Sequence, residues 1–250
     1  MFRLLKVLPL TLALAAVSFF FTGCGSNNVE ARFVNAIPDA GALDIDVGGV
    51  KEFSTVQFRT ASPGSNYIGV PSGNVAIEGF QTGTTTQAFP SQTVSLNSGS
   101  EYTLVAVGFL SGTVNILNPV DNNTEPQDDM VSFRVIEASP SGPGKVDIYF
   151  IANPVECSLG ATGCTAAITA LAYQSTSTYV TLPFNTSSSG TGYQMFVTTS
   201  GSPDPLPGWS GGQTITGGGS TLGSIRTMVL TDQSGGGAMN GQALVLDDVN

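Results

Sequence analysis

ARFVNAIPDAGALDIDV, residues 31–47, returns in altered form as FRVIEASPSGPGKVDIYF, residues 133–150. Each copy reads as strand, turn, strand. An Arg-led apolar run (Arg32-Phe33-Val34; Arg134-Val135-Ile136) meets an Ala-X-Pro break (Ala36-Ile37-Pro38; Ala138-Ser139-Pro140), and an alternating run through Asp44 and Asp46, or through Asp147, follows. The copies differ in length across the Pro/Gly turn, where insertions cost little. A unit that returns in this way implies two similar domains in one chain.

The rest of the chain repeats the same order. Val56 to Phe58, Tyr67 to Val70, Val75 to Phe80, Gln92 to Leu96, Tyr102 to Phe109 and Val114 to Leu117 are short apolar or alternating runs set between turn residues. YTLVAVGF, residues 102–109, is nearly continuous in apolar side chains, as in a strand buried within a sandwich. Ala167 to Tyr173, Tyr179 to Pro183, Tyr193 to Thr198, Gln213 to Ile215, Arg226 to Leu230 and Ala243 to Leu246 replay it with longer loops. No helical period is sustained. The expected fold is all-β: two consecutive immunoglobulin-like sandwiches of about seven strands each. Residues 30–117 form the first and 130–250 the second, joined by an acidic, Pro-containing linker at 118–129 that looks too polar for a strand. Two segments rich in Gly, Ser and Pro, Gly201 to Gly219 and Gln233 to Gly241, read as loops, or else as disorder.

Residues 1–23 read as a signal peptide: Arg3 and Lys6, a short apolar run, then Phe21-Thr22-Gly23 before Cys24. The run is shorter than the roughly 20 apolar residues of a membrane-spanning helix. FTGC resembles the lipobox of bacterial lipoproteins, with Phe21 in place of the usual Leu. The resemblance implies cleavage before Cys24 and a lipid on its thiol; an ordinary secretory signal or an uncleaved anchor is the alternative. Residues 24–29 would be the lipidated tether, and Gly25 favours an outer-membrane address in the bacterial cell envelope, since Asp at that position tends to retain lipoproteins at the inner membrane.

Removing residues 1–23 takes the eight basic residues to six against eighteen acidic, a net charge of −12. Such a chain repels phosphate backbones, which argues against a nucleic-acid partner. Of three cysteines, Cys24 is allotted to lipid, leaving Cys157 and Cys164 to pair across a short Gly-containing loop in an oxidising compartment. The rival is a metal or redox pair, but zinc wants four ligands and thioredoxin-like sites want CxxC spacing.

The sequence holds no histidine. This removes the commonest general base and metal ligand, and with it a Ser-His-Asp triad. Neither Lys51 nor Lys145 lies in an SxxK arrangement. Asp44 and Asp46 share one face of a strand and Leu43, Ile45 and Val47 the other; in the second copy Tyr149 replaces the second acid. The acids read as a solvated strand face, or as part of a calcium site with Asp39. Arg32 and Arg134 open equivalent strands and are expected to pair with carboxylates on neighbouring strands. Trp209, alone among Pro207, Gly208, Gly211 and Gly212, is a candidate partner contact on a loop, or a cap on the second core.

Tandem ARFVNAIPDAGALDIDV-like openings, a later Tyr-X-X-Val/Leu-Pro and YTLVAVG together resemble the bacterial domain of unknown function 4397, more closely in the first copy than in the second, where YTLVAVG has become IRTMVLTD. The resemblance implies a β-sandwich, export and often a lipid anchor, but no activity, cofactor or site residues. The reading that follows is a non-enzymatic envelope or cell-surface module, anchored through Cys24, with a protein or glycan partner and no cofactor. The alternatives are a carbohydrate-active hydrolase using paired carboxylates and a calcium or small-ligand binding protein.

Overall fold

The computed structural model describes residues 29–152, 159, 164–183, 192–215 and 224–249. The expected signal peptide, Cys24 and Cys157 lie outside the described residues. Among the described residues all regular structure is β. The first sandwich is built from β1 (Val29–Ala36), β2 (Leu43–Val47), β3 (Val50–Val56), β4 (Thr60–Ser62), β5 (Ile68–Val70), β6 (Gly73–Gln81), β7 (Gln87–Leu96), β8 (Glu101–Gly108), β9 (Val114–Leu117) and β10 (Val120–Asp121). The second contains β11 (Met130–Glu137), β12 (Lys145–Ile151), β13 (Ile168–Ala172), β14 (Ser175–Thr176), β15 (Val180–Pro183), β16 (Tyr193–Thr199), β17 (Gln213–Ile215), β18 (Ser224–Leu230) and β19 (Leu244–Val249).

The same arrangement occurs twice. One sheet of the first sandwich runs β3-β2-β6-β7, and its counterpart runs β13-β12-β16-β17. The other sheets centre on a parallel pair, β1 with β8 and β11 with β18. These central strands are buried on both faces, which is why YTLVAVG reads as a continuous apolar run rather than an alternating one. Ala31, Phe33, Tyr102, Leu104 and Ala106 enter the first core, while Phe133, Val135, Met228 and Leu230 enter the second.

The opposite faces of the same strands meet each other. Val34, Ala36, Val105 and Val107 pack against Ile136, Ala138, Val229 and Leu246 in a third apolar layer. The molecule is therefore four sheets deep, with the two central ones in direct contact.

The linker differs from its sequence reading. Val120–Asp121 forms β10 on the edge of β8, paired antiparallel with Tyr102 and Glu101. A segment with so few apolar residues becomes a strand because the sheet edge supplies hydrogen-bond partners and Asp121 is needed inside, as shown below. β1 likewise begins at Val29, one residue within the expected tether, where Val29 pairs with Val70.

Candidate functional site

Arg32 and Arg134 stand opposite Thr103 and Thr227 in the two parallel pairs. Each guanidinium bonds its own sandwich's threonine and reaches a carboxylate of the other sandwich or its linker. Arg32 Nε donates to Thr103 Oγ1 at 2.9 Å, and Arg32 Nη2 bonds Asp248 of β19. Arg134 Nε donates to Thr227 Oγ1 at 3.2 Å and its Nη2 to Asp121 of β10 at 2.5 Å. The threonines close the circuit, Thr103 donating to Asp121 at 2.7 Å and Thr227 to Asp248 at 2.5 Å. Tyr67 and Tyr179 lie under the two guanidinium groups at 4.9 Å each. Burial by itself would lower the Arg32 pKa, but Asp248, Tyr67 and Asp121 outweigh it and hold the group charged. The predicted carboxylate partners exist, yet they come from across the sheet interface, not from the neighbouring central strand. This is a clamp between sandwiches, sealed from solvent.

Asp44 and Asp147 also have structural partners. Asp44 faces a bulge in β3, where Leu43 pairs with Val56 and Ile45 with Phe53. It accepts from Thr55 N at 2.9 Å and Gly83 N at 3.2 Å, and pairs with Lys51 Nζ at 2.7 Å. The Lys51 bond, followed by the Thr55 N–H, holds its carboxyl well below the usual carboxylate range. Asp147 repeats the device at a bulge in β13, accepting from Ala170 N at 2.7 Å and Gly201 N at 2.8 Å. Burial would raise the Asp147 pKa, but these bonds and one from Ser200 lower it overall. Thr55 and Ala170 both have left-handed φ, at 54° and 51°, so the carboxylates satisfy backbone groups that the bulges leave unpaired. The solvated-face reading of Asp44 is thus corrected: the side chain is buried because the bulge in β3 and the β6–β7 turn at Gly83 fold over it. Asp46 is partly exposed. Asp39 instead holds the turn after β8, accepting from Leu110 N and Ser111 N at 2.8 and 3.3 Å. Tyr149, in place of a second acid, packs with Ile151 and Phe196 on the outer face of the second sandwich, where Leu159, Cys164 and Ala166 cover it. Cys164 is disulfide-bonded, to a partner outside the described residues.

Trp209 is the main correction among the singled-out residues. Its side chain is fully buried in the second core, and its indole N–H donates to Asn240 O at 2.9 Å. It cannot be a surface contact. The glycines beside it bring the loop inward. Gly208, at φ 85°, lies so close to Gly241 that a Cβ would meet the Gly241 Cα at 2.8 Å, and a larger residue would hold apart the two loops that close over the indole.

Sequence reasoning missed a pair of buried acids, Glu137 and Asp232. Glu137 accepts from Ser139 N at 2.9 Å, and Asp232 bonds the Ser139 hydroxyl and Ser141 N. Burial, with the Asp232 charge adding to it against the Ser139 bond, pushes the Glu137 carboxyl up to about 8. A carboxyl raised in this way suits acid–base work, but Glu137 and Asp232 are both buried and neither lines a described cavity. The only sequence signal was that Glu137 stands where the first copy has Asn35, whose Oδ1 accepts from Ile37 N in the same way.

A cavity at the junction was also missed. Loops of both sandwiches meet at one end: Gly235 N donates to Pro38 O at 2.8 Å, and Arg59 Nη2 to Gln242 O at 2.9 Å. Between them is a cleft of about 690 Å³ lined by Ala40, Gly41, Gln57, Phe58, Arg59, Ser234 and Asn240. Beside it, around the tip of the 231–242 loop, a smaller cavity of about 270 Å³ is bounded by Gly142, Pro143, Leu206, Pro207 and Met239. Among the described residues no cluster of three or more Asp, Glu, Cys or His side chains is placed to hold a metal ion.

No curated protein matches the chain. Among solved structures, it is similar to the family 26 carbohydrate-binding module of Eubacterium rectale Amy13K, crystallised with maltoheptaose, at 12% identity over 89% of this chain and 98% of that one, with a TM-score of 0.24. The family resemblance read from the repeated openings is matched once, over the first sandwich, the linker and most of the first two strands of the second: residues 29–149 match the model of the family described as Domain of unknown function (DUF4397).

Proposed function

We propose that this chain is a non-enzymatic binding module of the bacterial cell envelope, held to the outer membrane by lipid on Cys24, built from two copies of one domain and engaging its partner at the loop end. The observation that carries this reading is the chemistry of the 690 Å³ cleft: among the described residues its only ionisable lining side chain is Arg59. A guanidinium stays charged at any physiological pH, so it can bind and orient but not exchange protons. Support also comes from the buried acids. Asp44, Asp121, Asp147 and Asp248 all have structural partners. The two other buried acids, Glu137 and Asp232, are sealed off by the surrounding chain. We assign Cys157 as the partner of Cys164, closing the loop over Tyr149 and Phe196.

Two measurements on the full chain test the proposal. Wild type should partition with membranes and carry acyl mass, and Cys24→Ala should be released or stall in processing. A panel of glycosides, esters and peptides should show no saturable turnover, while a glycan and peptide array gives binding that is lost when Arg59 is changed to Gln. Turnover abolished by Glu137→Gln or Asp232→Asn would instead establish the hydrolase.

A further inference from the structure

The junction between the sandwiches is built twice, and the two versions differ in one charge. In each, a residue with left-handed φ precedes a short strand and donates its N–H to the end of the central strand: Arg59 (φ 59°) to Asn35 O at 2.8 Å, and Gln174 (φ 60°) to Glu137 O at 2.9 Å. Each then reaches across to the other sandwich. Gln174 Oε1 accepts from Asn115 Nδ2 at 3.2 Å, a neutral contact between amides. Arg59 gives one bond to the Gln242 carbonyl, and its Nε is buried without any hydrogen-bond partner. The backbone conformation is common to both positions and belongs to the turn. The guanidinium is particular to one.

This guanidinium is unlike the others. Among the described residues Arg32, Arg134 and Arg226 each have a carboxylate within 4.0 Å, and Arg59 has none. Burial lowers its pKa with no acid to offset the effect, although acids outnumber basic residues eighteen to eight in the chain. A cation left unpaired in so acidic a protein marks the place where an external anion would be favoured. Around it the cleft supplies the Gln57 and Asn240 amides, the Ser234 hydroxyl and the partly exposed Phe58 ring. Amides and a hydroxyl match sugar hydroxyls, an aromatic ring takes the C–H face of a pyranose, and the guanidinium N–H groups not used on Gln242 take a carboxylate.

We infer that the Arg59 cleft binds a carboxylate-bearing saccharide, with Arg59 holding the carboxylate, Gln57, Ser234 and Asn240 the hydroxyls, and Phe58 the ring face. This inference rests on the binding-module reading and narrows it to one ligand class. Gln174 shows that Gln is accommodated at this backbone conformation, so Arg59→Gln is a variant that keeps the fold, and its melting temperature checks that it does.

The test is calorimetric titration of the intact lipidated chain in detergent with a tetragalacturonate, with the same tetramer after carboxyl reduction, and with a short peptide ending in a free carboxylate. Wild type should bind the acidic tetramer about ten- to a hundredfold more tightly than the reduced one, the range for a hydrogen bond to a charged group. Arg59→Gln should lose that preference, and Arg59→Lys should keep part of it. Equal affinity for acidic and reduced tetramers, or undiminished acidic binding by Arg59→Gln, overturns the uronate assignment while leaving a neutral-glycan module standing. Binding of the peptide alone overturns it in favour of a protein partner. No binding of any probe also overturns it, and the binding-module reading is then decided by its own turnover and array results.

Discussion

Replacing Glu137 by Gln should make stability less dependent on pH. The Glu137 carboxyl is sealed between the end of β11 and the 231–242 loop, and burial lifts its pKa from an ordinary 4.5 to about 8. Between those values the folded chain keeps a proton that the unfolded chain has released, so stability falls as pH rises. The slope is about 1.4 kcal/mol per pH unit, which amounts to about 3 kcal/mol by pH 7 and levels off above the folded pKa. Glu137→Gln keeps an acceptor for Ser139 N–H, has no proton to lose, and copies the neutral amide at Asn35 in the first copy. The assay is urea unfolding of both chains from about pH 4 to about pH 9. The depressed carboxyls of Asp44 and Asp147 act at lower pH, in the opposite sense, and cancel because both chains contain them. The variant's advantage should be flat below the unfolded pKa, climb by about 3 kcal/mol to pH 7, and level off above pH 8. A difference that does not change with pH would refute the claim that Glu137 is buried in its neutral form.

Asp121→Ala leaves Arg134 without its carboxylate and Thr103 and Tyr67 without an acceptor; denaturant unfolding should show a loss of about 3–5 kcal/mol, part of it recovered when Arg134→Met is added. Trp209→Ala empties a fully buried site and breaks the bond to Asn240, and should cost about 3–5 kcal/mol in the same assay. Cys157 and Cys164 should resist thiol labelling until reduced, and reduction should raise hydrogen exchange in β12 and β16, beneath Cys164, while leaving the first sandwich unchanged; labelling of native, unreduced protein at both positions would contradict the assigned pair.

Periodicity carried the fold. The turn residues and apolar runs located most strands, but not the short edge strands β4, β10 and β14, and the run expected at Val56 to Phe58 is the end of β3 (Val50–Val56) and the turn after it; the second-copy correspondences, such as Tyr179 to Pro183 with Tyr67 to Pro71, are strands at equivalent places in the two sheets. The four-layer arrangement was hidden because a strand buried in one sandwich and a strand buried between two have the same apolar composition. Arg32 and Arg134 were the visible clue, since an arginine inside an apolar strand needs a partner, but Asp248 lies 216 residues from Arg32, and Asp121, 13 residues before Arg134, lies in a segment that read as a linker. Trp209 was ambiguous for a local reason. Glycines on either side suit an exposed loop and equally suit two backbones in contact, and only the approach of Gly208 to Gly241 separates the cases. The Arg59 cleft draws on residues 40–59 and 234–240, which no linear motif joins. The single sequence sign was negative: Arg59 is a cation at a position whose counterpart, Gln174, is neutral.

The central claim, that the loop end binds a ligand at Arg59 and does not transform it, is tested most directly by observing the arginine Nε–H resonances of the isotopically labelled chain while tetragalacturonate is added. The Arg59 signal should shift saturably, Arg32 and Arg134 should stay in place, and the tetramer should be recovered uncut. An Arg59 signal that does not move, or a tetramer shortened during the titration, would contradict the account.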